Sequence, residues 1–231
     1  LDVSNGTLGA SLLCVSIGVF LALRPAGRNA AKYGSQPIIF FGTLALALTL
    51  PLVGALFSLQ WLWFSFFLFG FSIATQDVAM NAHGSTLEIN SDKRVMSRFH
   101  ALWSLGSFSG GALGGIATQL RISPFTNFCL TATVVFLVAN AIRKMFLGGE
   151  VDRHPIEHRK KRKRPRIFFV LGFLGLCGAI GEGAASDWGG ILIRDTFNAT
   201  GFLVALPYVL FCVAMVTGRT LGDHFAHKIG T

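Results

Sequence analysis

The chain has 231 residues, 52% of them hydrophobic and only 13% charged, with a mean hydropathy of +0.58. Soluble domains carry about 25% charged residues, so this composition excludes both a soluble globular domain and a disordered chain. The formal net charge of +9 is confined to short blocks between long apolar runs, which is not the footprint of a nucleic-acid-binding surface. Cys14, Cys129, Cys177 and Cys212 all lie inside those runs and read as small core or lipid-facing residues, not as disulfide partners or metal ligands.

A helix needs about 20 apolar residues to cross roughly 30 Å of hydrocarbon. Seven segments meet that length, and backbone satisfaction in lipid requires each to be α-helical. The expected class is therefore an all-α polytopic membrane protein. The first two spans fall near 9–26 and 37–58, joined by a segment containing Gly27, Arg28, Lys32 and Gly34. The third, near 61–85, carries Asp77. A charged residue at mid-span costs roughly 2.5–3.5 kcal/mol on insertion scales. Asp77 is thus expected to face a protein interior or a wet cavity. At 100° per residue it shares one stripe with Gly70, Asn81, Gly84 and Glu88, while His83 points away from that stripe toward a neighbouring helix. Glu88, near Lys93 and Arg94, reads as a rim ion pair.

The fourth span, near 98–119, sets His100 and Trp103 three residues apart on one face. Behind them Gly106, Gly110, Gly111, Gly114 and Gly115 form small-xxx-small spacings suited to close helix packing. The fifth span falls near 125–146. Residues 147–166 form a polar, Pro-containing linker with an unbroken basic run from Arg159 to Arg164, read as a topogenic cytoplasmic connection. The sixth span, near 167–190, holds Glu182, with Asp187 and Trp188 toward its end. The seventh lies near 202–221.

Of the 20 basic residues, all but Arg121 and Arg194 fall at the ends or connections of one membrane side. The positive-inside rule makes that side cytoplasmic, which puts Leu1 outside and Thr231 inside. Residues 26–35 and 222–231 also match weakly at an offset of 196, aligning Ala30 with Ala226, Lys32 with Lys228 and Gly34 with Gly230. Both segments follow a helix on its cytoplasmic end, as parallel repeats would place them.

On these residues the chain resembles the major facilitator superfamily. The family signature G-x-L-A-D-R-x-G-R-R is met in part by Gly27, Ala30, Lys32 and Gly34, with Ala31, Ser35 and Gln36 departing from it. The stretches Gly70 to Gly84 and Met96 to Gly106, and Glu182 to Trp188, are similar to the fucose-permease-like bacterial branch. Gly106 to Gly115 resembles the family's antiporter motif, with Gly111 where proline is expected.

The resemblance implies that the seven spans are helices two to eight of twelve, in a fragment. Residues 1–146 would be most of the N-terminal half, 147–166 the central loop and 167–231 the start of the C-terminal half. It implies secondary active transport of a small solute, sugar-like or otherwise polar or amphipathic, by alternating access and driven by protons, in the bacterial inner membrane. Asp77, Asn81, Glu182, His100 and Trp103 are the expected proton and substrate residues, and Gly27, Arg28, Lys32 and Gly34 the cytoplasmic signature loop. Asp77 is also open to a structural hydrogen-bonding role, the less favoured of the two. No catalytic residue, cofactor, metal or nucleic-acid partner is expected, because the chain has no Walker A loop, HExxH motif or Cys/His cluster. Two other functions fit less well. A seven-helix photoreceptor would need a lysine in the last span, which 202–221 lacks, and an intramembrane hydrolase would need a second acid beside Asp77.

Overall fold

A computed structural model describes residues 3–91, 95–148, 150, 151, 153 and 166–229; for Ser97 and 219–229 it describes the backbone alone. The described residues form seven helical rods and no strand: α1 (Asn5–Tyr33), α2 (Ser35–Gly54), α3 (Leu59–Ser91), α4 (Met96–Gln119), α5 (Pro124–Ile142), α6 (Ile167–Phe197) and α7 (Leu206–Ile229). Five of these, α1, α2, α3, α5 and α6, are long and apolar enough to cross a membrane. Helix α4 has the length, about 36 Å at 1.5 Å per residue, but its Ser, Gly, His and Gln content lowers its hydropathy. In α7 the apolar part is the shorter stretch Leu206–Gly218. The basic run 159–164, with Lys93 and Arg94, lies outside the described residues.

Helix starts follow local chemistry. The Ser4 hydroxyl accepts the Thr7 N–H at 3.1 Å, and the Ser123 hydroxyl accepts the Thr126 N–H at 3.1 Å ahead of Pro124. One boundary departs from expectation. The signature segment is not a loop: α1 runs on through Gly27, Arg28 and Lys32 to Tyr33, and the chain reverses at Gly34 alone, with φ of 87°. Alanine and basic residues favour helix, and glycine supplies the positive φ that a side chain would resist.

The chain divides into two compact units, Leu1–Met96 with Ser123–Glu157, and Ser97–Ile122 with His158–Thr231. Helix α4 thus packs with the helices that follow the basic linker, a division different from the one drawn at that linker. In the first unit, α1 and α3 meet backbone to backbone. A Cβ added at Gly18 would collide with the Phe67 carbonyl oxygen, and one at Gly70 with that of Val15. A Cβ added at Gly42 of α2 would stand 2.9 Å from the Gln76 Cα, and one at Gly54 2.7 Å from the Phe125 Cα. Buried polar groups tie these helices further. The Trp63 indole donates to the Ser11 hydroxyl at 2.9 Å, and Ser11 donates to the Thr7 carbonyl at 2.7 Å. In the second unit, Gly111 and Gly115 receive side chains: the Tyr208 ring lies 2.6 Å from a Cβ at Gly111, the Phe202 ring 2.6 Å from one at Gly115. The Gln119 side-chain oxygen Oε1 accepts the Phe202 N–H at 3.2 Å and closes that end.

Candidate functional site: an acid-bearing cavity in the second unit

The cavity arises where α4, α6 and α7 are spaced by rings. It has a volume of about 190 Å³. From α4 come Trp103, Ser104 and Ser107; from α6, Glu182 and Ser186; from α7, Tyr208, Phe211, Cys212 and Met215. Each helix contributes one face. Positions 103 and 107, 182 and 186, and 208, 212 and 215 are three or four apart, so they stack along a single side.

Helix α6 changes its winding here. Ala184–Trp188 forms a π-helical turn, directly after Glu182. A π turn widens the helix and is often found at functional sites. Within it the Ser186 hydroxyl donates to the Gly183 carbonyl at 3.2 Å and to Asp187 Oδ1 at 3.1 Å. The Tyr208 phenol lies within interaction range of Ser107, Cys212 and Glu182. Ion pairs join Arg153 to Glu150 and Arg194 to Asp195.

The expected site residues divide. Glu182 and Trp103 line this one cavity. His100 sits one turn before Ser104, whose hydroxyl donates to the His100 carbonyl at 3.1 Å, and is not part of the lining. Asp77 and Asn81 lie in the first unit and pair with each other: the Asn81 amide donates to Asp77 Oδ1 at 3.1 Å and to the Asp77 carbonyl at 2.9 Å. Both are half-buried. The stripe they were assigned to is not uniform, because Gly70 is buried against α1. His83 is buried and hydrogen-bonds Ser35 of α2 at 2.8 Å, with its ring edge-on to Phe146. Glu88 accepts the N–H groups of Val95 at 2.8 Å and Met96 at 3.0 Å, so it caps the start of α4.

The glycine run divides into two rows. Of the five, Gly111 and Gly115 meet a neighbour, whereas Gly106, Gly110 and Gly114 meet nothing within 4 Å among the described residues. The two sets form two adjacent helical rows about 100° apart, and only one row faces the Tyr208 and Phe202 rings. Sequence reading missed Tyr208, Ser104, Ser107 and Ser186. The four-residue spacing of Glu182 to Ser186 and of Trp103 to Ser107 was the available signal.

A family model for the Major Facilitator Superfamily matches residues 1–231. The chain belongs to that superfamily. It is a membrane-embedded, all-α member. It is 28% identical over 234 residues to an uncharacterized MFS-type transporter of Yersinia pestis, covering 100% of this chain and 59% of that protein. It is 26% identical over 229 residues to the uncharacterized transporter y4wD of Sinorhizobium fredii, covering 99% of this chain and 61% of that one. Membrane protein MosC of Rhizobium meliloti is 27% identical over 229 residues, 98% of this chain and 55% of MosC. The superfamily chain thus spans 55–61% of the length of these relatives. No solved structure matches it.

Proposed function

We infer that this chain serves a secondary active transporter that carries a small solute across the cytoplasmic membrane by alternating access, with proton movement coupled to solute movement. The observation that carries the reading is the cavity among α4, α6 and α7, with one carboxylate, Glu182, set among hydroxyls and aromatic rings inside apolar helices. An ionisable group at membrane depth marks a substrate or proton path. Asp77, held by Asn81, is the second such group and the primary proton carboxylate in this reading. Trp103 offers a flat face to the solute, and His100 extends that face by one turn. The halves of the transporter are divided at the basic linker, residues 1–146 on one side and 167–231 on the other. The relatives named as transporters support the same reading. The basic connections lie in the cytoplasm, with Leu1 on the outside.

The test is uptake by the full-length gene product in proteoliposomes under an imposed pH gradient. Asp77→Asn keeps shape and hydrogen bonding but cannot titrate. It abolishes proton-driven accumulation while solute exchange without a gradient persists, and Glu182→Gln gives a weaker defect. Accumulation by Asp77→Asn equal to the parent's, with the same pH dependence, overturns proton coupling through this carboxylate.

A further inference from the structure

We propose that the end of the first unit where α1 passes into α2 binds the headgroup of an anionic phospholipid, an inference independent of the solute and of its coupling. Helix α1 has 29 residues, roughly 44 Å at 1.5 Å per residue, against roughly 30 Å of hydrocarbon. Its apolar run ends at Leu23, and Arg24, Arg28 and Lys32 follow at four-residue intervals. They fall within about 80° of one another around the helix. Together they span about 12 Å along it, through the depth at which lipid phosphates lie. The Lys32 ammonium stands over the Tyr33 ring, 4.9 Å from its centroid, which holds that charge at the reversal.

A second segment folds onto this helix end and brings further charge. The Gln36 amide donates to the Arg143 carbonyl at 3.0 Å, and Arg153 Nε donates to the Tyr33 carbonyl at 3.4 Å. Between these two anchors Phe146 packs against Ala30, Ile39 and Ala79 and meets the His83 ring edge-on. His83 in turn hydrogen-bonds Ser35 at 2.8 Å. Residues far apart in the chain, Arg143, Lys144 and Arg153, are thereby gathered beside the α1 stripe. The anchor on Arg143 is its backbone carbonyl, so its guanidinium is not consumed by that contact. Glu150, 3.6 Å from Arg153, offsets one of the six charges. Like charges held this close repel, and an anion placed among them relieves that cost. Guanidinium forks match phosphate oxygens in pairs. A chain embedded in a membrane meets such phosphates in the surrounding leaflet, where each Lys or Arg near the surface favours anionic lipid.

The experiment is native mass spectrometry of the purified full-length gene product, released from micelles holding equal amounts of phosphatidylglycerol and phosphatidylcholine. Phosphatidylglycerol is retained about fivefold or more over phosphatidylcholine. The triple variant Arg28→Gln, Lys32→Gln, Arg143→Gln loses that preference. Arg28→Lys with Arg143→Lys keeps most of it, which separates loss of charge from misfolding. Arg121→Gln with Arg194→Gln removes charge elsewhere and leaves the preference intact. Gln36→Leu keeps every charge but releases the Arg143 carbonyl, and lowers the preference about twofold. Equal retention of the two lipids by the parent, or a preference unchanged by the triple variant or by Gln36→Leu, overturns the proposal. Loss of the preference in the Arg121, Arg194 pair also overturns it, because net charge alone would then be responsible. Displacement of the lipid by millimolar glycerol phosphate would assign the site to a free phosphate ester and overturn the lipid.

Discussion

The two units are built from the same material, apolar helices with frequent glycines, yet they use glycine differently. In the first unit Gly18 and Gly70 admit the backbone of the opposite helix, and Gly42 and Gly54 do nearly the same. In the second, Gly111 and Gly115 admit the rings of Tyr208 and Phe202. Lipid is as apolar as leucine, so helices in a membrane associate through van der Waals contact and interhelical hydrogen bonds. Backbone-to-backbone contact maximises the first and leaves little room between helices. A ring inserted at a glycine holds the two axes apart, and the space beside the ring becomes a cavity. Buried hydrogen bonds follow the same division. Trp63 to Ser11 and His83 to Ser35 join helices inside the first unit, whereas the hydroxyls of the second face an open cavity. Gly190, against the Val204 carbonyl oxygen at 2.8 Å, is the one backbone contact of the first kind that the second unit also contains among the described residues.

Three substitutions test this contrast, in falling order of effect. Gly70→Val has the largest, because the Val15 carbonyl cannot turn aside as a side chain could. Overpacking against backbone costs about 3 kcal/mol or more, and folded, monodisperse protein should be lost in fluorescence-detected size exclusion. A Gly70→Val protein as stable as the parent would mean that α1 and α3 are not held by this approach. Gly111→Val comes second. The Tyr208 ring can rotate away at about 1–2 kcal/mol, so the protein folds with a lowered melting temperature and an altered cavity. Reduced ligand binding with folding retained is the outcome that distinguishes it from Gly70→Val. Gly110→Ala is the smallest, since nothing lies within 4 Å of its Cβ position. Its stability should be unchanged or up to ~1 kcal/mol higher from helix propensity; a clear loss would show that a partner covers the row of Gly106, Gly110 and Gly114.

Much of the site was legible in fragments. Glu182 and Trp103 stood out because charge and a polarisable ring are conspicuous in an apolar span, and both reach the cavity. Tyr208 did not stand out, because a tyrosine in a span is ordinary until a neighbour's glycine is seen to receive it. Glu88, which beside Lys93 and Arg94 reads as a rim ion pair, accepts the Val95 and Met96 N–H groups at the start of α4, while Lys93 and Arg94 lie outside the described residues. The resemblance implies a loop at the signature segment, whereas its alanines carry the helix to Tyr33.

The sequence by itself determined the helices and the family. A backbone in lipid must satisfy its hydrogen bonds within each segment, so span length and apolar content point to the rods. Only the tertiary structure decided which face of each rod meets which neighbour. In water, a polar face and an apolar face would have announced the answer. In a membrane, the lipid-facing side and the packed side are both apolar, so the grouping of α4 with α6 and α7, and the cavity that grouping creates, are set by the fit of rings into glycine gaps rather than by any pattern along the chain.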